Sequence, residues 1–138
     1  MAKLDGHCLC GQISYASDAE PIMTAVCHCA DCQRQTGTTF SLVVAVARDQ
    51  LRIQGTPKMF QTMGDDRGSP AYRHFCGDCG SPIMSVLADM EELAWIKAGT
   101  LNDKSWLNPT FEVWTDSAQP WLAPAERQTF PHGPTFPE

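Results

Sequence analysis

Several features that place proteins in common classes are missing from this sequence. No apolar run approaches the roughly 20 residues of a membrane-spanning helix, since the longest apolar-rich stretch covers only residues 40–47. Lysine and arginine occur singly and the net charge is −6, which argues against the basic surface that nucleic acid binding needs. No leader with a small-residue cleavage site precedes the first cysteine. We therefore expect a cytoplasmic protein that binds neither membrane nor nucleic acid.

Internal repeats and strong helix signals are also lacking. The best helix signal covers residues 30–36 and stops at Gly37. Short alternating or β-branched segments separated by turn residues predict strands instead. These predicted strands cover residues 12–16, 22–26, 40–47, 51–55, 58–61, 71–75, 82–87 and 93–98. We expect a mostly β fold with a single core.

Length and proline content predict the domain organisation. The chain has 138 residues, of which 43% are hydrophobic and 19% charged, as in one globular domain. Residues 122–138 contain four prolines, which disfavour both helix and central strand. The prediction is one domain over residues 1–121 and a proline-rich tail over 122–138 that wraps the surface or is loose.

What the sequence does contain is seven cysteines in three tight groups. The groups are Cys8 with Cys10, then Cys27 with Cys29 and Cys32, then Cys76 with Cys79. A disulfide framework is disfavoured in a reducing compartment, and an odd count leaves one cysteine unpaired. Cysteines one or two residues apart aim their sulfurs at a common centre, which is usually Zn²⁺.

Spacing alone does not say which groups share an ion. The simplest partition joins Cys8 and Cys10 to Cys76 and Cys79 in a closed four-thiolate site. The middle group then forms a three-thiolate site with an open fourth position. Three thiolates leave Zn²⁺ with a net charge of −1, which favours binding of an external thiol over activation of water. His28 points away from its neighbours in an extended chain, so we expect it to support the site rather than bind metal.

These motifs resemble a known family. Residues 6–15, 27–37 and 75–82 are similar to the three cysteine motifs of the glutathione-dependent formaldehyde-activating enzymes, a family that includes centromere protein V. The resemblance runs from about Gly6 to Trp121. It implies a single-domain β-tent fold, shared in outline with Rab accessory factors and methionine sulfoxide reductase B.

The resemblance also implies cofactors and a reaction. It implies two zinc ions per chain, a structural one on Cys8, Cys10, Cys76 and Cys79 and a more labile one on Cys27, Cys29 and Cys32. The implied reaction is carbon–sulfur lyase or synthase chemistry on a thiol adduct, such as condensation of glutathione with formaldehyde to S-hydroxymethylglutathione. The implied partners are a small thiol such as glutathione and a small aldehyde.

Four polar side chains near the cysteines are candidates for binding such a thiol. Arg34 and Arg73 could hold a carboxylate, and Gln33 and Thr36 could donate hydrogen bonds. The four tryptophans are expected to pack in the core and at its edges. Two alternatives stay open, namely a non-catalytic zinc module that binds another protein, and a redox protein in which Cys29 or Cys32 is a free reactive thiol.

Overall fold

Eleven strands and one α-helix form in the residues that the computed structural model describes, 2–63, 68–122 and 127–133. The elements are β1 (Leu4–His7), β2 (Ser14–Ser17), β3 (Met23–Cys27), α1 (Ala30–Thr36), β4 (Ser41–Ala47), β5 (Leu51–Gln54), β6 (Lys58–Met63), β7 (Pro70–Phe75), β8 (Pro82–Leu87), β9 (Leu93–Lys97), β10 (Phe111–Val113) and β11 (Gln128–Thr129). The predicted mostly β class is confirmed. The narrower β-tent assignment and the boundary at residue 121 stay predictions.

The strands form two sheets. The small sheet has the order β1-β2-β5, and the large sheet has the order β11-β10-β3-β4-β9-β8-β7-β6. Neighbours in the large sheet are antiparallel except that β10 runs parallel to both β3 and β11. Strands β3, β4 and β9 therefore lie inside the sheet, where their apolar residues can be covered on both faces.

The two faces of the large sheet have different surroundings. Val44 and Val46 of β4 and Ile96 of β9 are fully buried and pack with Leu4 and Tyr15 of the small sheet. Because side chains alternate along a strand, the intervening residues of β4 and β9 face the opposite side. That opposite face carries the candidate site described below.

Helix α1 begins and ends at residues that cap it. Cys29 has an extended backbone, and its Sγ accepts a hydrogen bond from the Cys32 N–H at 3.2 Å. The N–H of Gly37, in the left-handed region, donates to the Gln33 carbonyl at 2.9 Å. The cysteine motif thus forms both the start of the helix and the turn that leads into it.

The described part of the proline-rich tail joins the large sheet at its edge. Strand β11 pairs with β10, and the Phe130 N–H donates to the Glu112 carbonyl at 2.7 Å. Phe130 is buried in a small cluster with Cys27, Cys32 and Val113. Residues 123–126 and 134–138 of the tail lie outside the described residues.

No helix among the described residues is both long and apolar enough to cross a lipid bilayer.

Gly6 is the point of closest approach between β1 and its surroundings. It lies opposite Tyr15 in β2 and forms a bridge to Leu101. A Cβ atom added at Gly6 would overlap the Thr100 carbonyl oxygen and the Tyr15 hydroxyl group. Tyr15 cannot move away freely because its hydroxyl is 2.6 Å from the Thr100 hydroxyl. The strand pairing therefore requires glycine at this position.

We predict that Gly6→Ala lowers the free energy of unfolding by about 1–3 kcal/mol, the usual cost of overpacking. Gly99→Ala is the matched control, because a Cβ atom at Gly99 would have no neighbour within 4 Å. Urea denaturation of the two variants measures the difference. Equal midpoints would show that β1 shifts to accommodate the methyl group.

Candidate functional site

Four cysteines from two distant loops converge on one point. Cys8 and Cys10 lie between β1 and β2, and Cys76 and Cys79 lie between β7 and β8. Their sulfurs all lie within 4.8 Å of one another, and Cys10 Sγ is 3.7 Å from both Cys8 Sγ and Cys76 Sγ. Tetrahedral zinc with bonds of about 2.3 Å separates its sulfurs by similar distances. We call this cluster the tetrathiol clamp. It can hold a metal ion, and it brings together the two cysteine pairs that spacing alone could not assign to one site.

Two similar turns shape the clamp. The Gly11 N–H donates to the Cys8 carbonyl at 3.2 Å, and the Gly80 N–H donates to the Cys76 carbonyl at 2.9 Å. Both glycines have left-handed backbones, with φ of 83° and 80°. A side chain at either position would strain the turn. Each turn brings its two sulfurs to the same side of the loop.

Ser81 connects the two loops of the clamp. Its Oγ accepts a hydrogen bond from the Leu9 N–H at 3.0 Å and lies 3.2 Å from Cys79 Sγ. Hydrogen bonding by the Ser81 hydroxyl and backbone lowers the pKa of Cys79 to about 5. The thiolate, which is the metal-binding form, is therefore favoured at this position.

The other three cysteines form a second cluster, which we call the trithiol site. Cys27 ends β3, Cys29 caps α1 and Cys32 lies in the first turn of the helix. Their sulfurs lie within 4.8 Å of one another. Cys27 and Cys32 are buried, whereas Cys29 is half-buried. Three ligands on one ion leave a fourth position for another ligand, as in catalytic rather than structural sites.

Two buried cations lie beside the trithiol site. Arg73 is 7% exposed, and its Nη1 lies 3.6 Å from Cys32 Sγ. Lys97 is 5% exposed and donates from Nζ to the Ser41 hydroxyl at 3.0 Å. Neither cation has a carboxylate within ion-pair distance in the described part of the chain. Because an uncompensated buried charge is costly, the cysteine thiolates are the natural counter-charge.

The pKa values of Cys27 and Cys32 are shifted in opposite directions. The pKa of Cys32 is lowered well below its ordinary value, first by hydrogen bonds from Cys27 and Cys29 and then by the charges of Lys97 and Arg73. Hydrogen bonding to Cys29 and Cys32 raises the pKa of Cys27 well above its ordinary value. The first negative charge therefore resides on Cys32, and a bound metal ion would displace the remaining protons.

His28 faces away from the sulfurs and anchors the site to the C-terminal strands. Its Nε2 lies 2.9 Å from Glu112 Oε1 in β10, and the other carboxylate oxygen accepts from Arg127 Nη1 at 3.3 Å. Both His28 and Glu112 are buried. The His28 carbonyl accepts from Gln33 Nε2 at 2.7 Å. The segment between Cys27 and Cys29 is thus held from two sides.

The four predicted thiol-binding residues lie in different surroundings. The Gln33 side-chain amide donates hydrogen bonds to backbone carbonyls, including that of Ser117 at 3.1 Å. The Thr36 hydroxyl donates to the Cys32 carbonyl at 2.8 Å. Arg34 is exposed and lines a surface groove with Arg73. Of the four side chains, that of Arg73 reaches a sulfur of the trithiol site. A role for any of them in substrate binding stays a prediction.

A cavity of about 130 Å³ adjoins the trithiol site. Its wall is mostly apolar and includes Met23, Val43, Leu87, Phe111 and Val113. The three cysteines and both buried cations also line it. Ser85 and Trp95 supply further polar atoms, Oγ and Nε1, which are buried and have no hydrogen-bond partner in residues 2–63, 68–122 and 127–133.

Sequence reasoning missed Lys97, Ser85 and Glu112. Lys97 follows four apolar residues within the predicted strand 93–98, so its burial could have been suspected from the strand pattern. Glu112 lies in a three-residue strand that no pattern predicted, and Ser85 gives no signal of its own. Trp95 and Trp114 line the cavity, while Trp121 is 66% exposed, so the expectation of core and edge packing holds only in part.

Comparison with known proteins gives distant relatives. The chain is 22% identical over 118 residues to a Penicillium rubens protein and 22% identical over 116 residues to an Aspergillus flavus protein. Both names provisionally describe a glutathione-dependent formaldehyde-activating enzyme. The matches cover 83% and 80% of this chain but only 61% and 60% of those proteins, so the chain spans about three fifths of their length.

A solved structure and a family model also match the chain. A crystal structure of a Rhodobacter sphaeroides protein superposes with a TM-score of 0.56 at 21% identity, covering 76% of this chain and 91% of that one, which supports the fold alone. The sequence model described as "Glutathione-dependent formaldehyde-activating enzyme" matches residues 3–117, most of the chain. The chain therefore belongs to the glutathione-dependent formaldehyde-activating enzyme family.

Proposed function

We propose that this protein is a zinc-dependent enzyme that forms or breaks the carbon–sulfur bond of a thiol–carbonyl adduct. The names of the relatives point to glutathione and formaldehyde as one such pair. The observation that carries the proposal is the convergence on one mostly apolar cavity of three thiols and two buried cations that have no carboxylate partner among the described residues. A merely structural metal site would need neither the cations nor the cavity.

The proposed cofactors are two zinc ions with different roles. The tetrathiol clamp would hold a closed structural ion, because all four of its ligands are protein thiolates. Cys27, Cys29 and Cys32 would hold a second, more labile ion. When bound there, zinc would keep the substrate thiol deprotonated while leaving its sulfur nucleophilic.

Lys97 is placed to stabilise charge on the substrate oxygen. When sulfur adds to a carbonyl carbon, the carbonyl oxygen becomes negative and needs hydrogen-bond donors. The Lys97 ammonium group has three N–H donors, of which one goes to Ser41. The Arg73 guanidinium group donates hydrogen bonds to Cys32, Gln35 and Thr62. It would therefore add positive charge to the site and hold Cys32 in place.

The first test of the proposal is the metal content. We predict two zinc ions per chain in the wild type and one in Cys29→Ser, measured by elemental analysis. Serine is a good N-cap residue, so this substitution removes a thiolate while preserving the start of α1. Cys29→Ser should therefore keep a cooperative thermal transition.

Cys76→Ser is the matched change in the tetrathiol clamp. Structural zinc contributes about 10–16 kcal/mol in small peptides, comparable to the whole stability of a domain. We expect Cys76→Ser to lose the cooperative transition that Cys29→Ser retains. Equal zinc content in the wild type and Cys29→Ser would rule out the second zinc site and favour a redox or purely structural role for the three cysteines.

The second test is catalysis. Addition of thiols to formaldehyde is fast without an enzyme, so the exchange rate between free and glutathione-bound ¹³C-formaldehyde should be measured by NMR with and without protein. We predict that the wild type accelerates exchange and that Cys29→Ser does not. Lys97→Met should lower the catalysed rate by about 10²-fold, the usual effect of removing one donor to a developing oxyanion.

Lys3→Met is the control for Lys97→Met, because it removes the same charge from an exposed side chain. It should leave the catalysed rate unchanged. Equal rates for the two lysine variants would show that Lys97 has no part in the reaction. Absence of acceleration by the zinc-loaded wild type, with glutathione or other small thiols and with either formaldehyde or a larger aromatic aldehyde, would refute the proposed activity.

A further inference from the structure

The cavity beside the trithiol site contains more space and more hydrogen-bonding atoms than formaldehyde can use. We propose that it binds the carbon skeleton of the carbonyl substrate, and that this skeleton is an apolar group about the size of a benzene ring with a hydroxyl or carbonyl oxygen at its far side. The identification of the occupant as a carbonyl compound rests on the proposed function. The size and polarity of the occupant come from the cavity itself.

Volume sets the size of the occupant. The cavity measures about 130 Å³. For comparison, an apolar cavity of about 150 Å³ engineered into another protein binds benzene. Formaldehyde would leave most of this space unfilled, whereas glutathione, a tripeptide with two carboxylates, is far too large for it. The thiol must therefore extend away from the cavity while the carbonyl substituent enters it.

The wall determines the polarity of the occupant. Apolar side chains from four strands, among them Ala25, Val43, Leu87 and Phe111, form most of the surface. Such a wall favours apolar ligands, with orientation supplied by a few polar groups. A charged group among these apolar side chains would lose its hydration without regaining enough hydrogen bonds, so any negative charge on the ligand belongs beside Lys97 and Arg73.

Ser85 and Trp95 supply the orienting groups. Ser85 is 8% exposed, and its Oγ finds no partner among the described residues, as is also true of the buried Trp95 Nε1. The two residues lie directly opposite each other on β8 and β9. An indole N–H can only donate and a serine hydroxyl can donate or accept, so together they fit one hydroxyl or carbonyl oxygen.

The sheet register sets the distance between the two polar ends of the cavity. Trp95 and Lys97 are two residues apart on β9 and therefore on the same face, about 7 Å apart along the strand. The Lys97 end adjoins the trithiol site, where the reacting carbonyl oxygen would lie. A benzene ring that carries the reacting carbonyl group and, para to it, a second oxygen substituent spans a comparable distance. With the carbonyl oxygen beside Lys97, the second oxygen would lie near Ser85 and Trp95.

Trp114 gives independent support for a ligand at this wall. Among the described residues it is the one non-glycine residue with a positive φ, at 58°. Its backbone N–H donates to the His132 carbonyl at 2.9 Å, which holds this conformation, and Trp114 lines the cavity. Strained backbone that the surrounding structure maintains is concentrated at ligand-binding sites.

The test uses two unreactive ligands that differ in one atom group. Binding of 4-hydroxybenzyl alcohol and 4-methylbenzyl alcohol to the zinc-loaded full chain is measured by titration calorimetry. The two have nearly the same shape, but the first alone offers an oxygen to Ser85 and Trp95. We expect the hydroxyl compound to bind at least about tenfold more tightly, because its hydroxyl group supplies the hydrogen-bond partner that the two buried polar groups lack and the methyl group does not.

Two variants test whether the preference for the hydroxyl compound comes from Trp95 and Ser85. Trp95→Phe removes the indole N–H and Ser85→Ala removes the hydroxyl group, and each should reduce the tenfold preference to about twofold or less. Trp121→Phe is the matched control at an exposed position outside the cavity, and it should keep the full preference. If neither alcohol binds the wild type, if both bind equally, or if the preference survives in both variants, the proposal is wrong.

A competition experiment assigns the cavity to the carbonyl or to the thiol. Saturating glutathione should leave the affinity for 4-hydroxybenzyl alcohol unchanged. If glutathione displaces the alcohol, the cavity belongs to the thiol and the assignment to the carbonyl compound is wrong.

Alcohol binding is measured without turnover, so it succeeds or fails independently of the formaldehyde exchange assay. Binding without exchange activity would overturn the proposed function while supporting the size and polarity inferred for the ligand.

Discussion

The tetrathiol clamp brings together the loops of two hairpins that are far apart in sequence, and one of these hairpins also reaches the trithiol site. Cys10 and Cys76 are 66 residues apart in sequence, yet their sulfurs are 3.7 Å apart. Strand β7 runs directly into Cys76 and carries Arg73, whose guanidinium group reaches Cys32. The register between β7 and β8 shifts between His74 and Phe75, directly before Cys76. The hairpin that supplies half of the tetrathiol clamp thus also carries a cation to the trithiol site.

Charge balance connects the stability of the fold to the state of the trithiol site. Arg73 and Lys97 are buried without carboxylate partners in the described residues. Removing one partner of a buried ion pair typically costs about 3–5 kcal/mol. A divalent ion held by three thiolates would carry one negative charge, and a bound substrate thiolate would bring it to two, which the two cations would balance. When sulfur adds to the carbonyl carbon, this charge would move to the substrate oxygen, where Lys97 could stabilise it.

Local patterns in the sequence predicted the parts of the structure that local physics determines. Cysteine spacing anticipated the trithiol site and each pair of the tetrathiol clamp, because one or two intervening residues already restrict where the sulfurs can point. It did not show that the two pairs meet, since that depends on strands distant in sequence. The end of α1 was predicted from Gly37, and the position of β4 was predicted from its run of β-branched residues. Strand β1 was missed because Gly6 lowers its strand propensity, although it pairs with the neighbouring β2. Strand β10 was missed because it has three residues and pairs with β3, which is distant in sequence. Strands β8 and β9 were both predicted, but the sequence alone does not fix the register that sets Ser85 opposite Trp95.

The cysteines and the cavity wall come mostly from different parts of the fold. Loops, the end of β3 and the start of α1 supply the cysteines, whereas strand side chains supply most of the wall. Those side chains can change without disturbing the thiols, so at 22% identity membership of one family does not imply a shared substrate. Formaldehyde has no substituent to cover an apolar surface of this size, and its reaction would leave that surface without partner atoms. A carbonyl compound with a larger apolar group would fill the space and gain those contacts while reacting with the same sulfur.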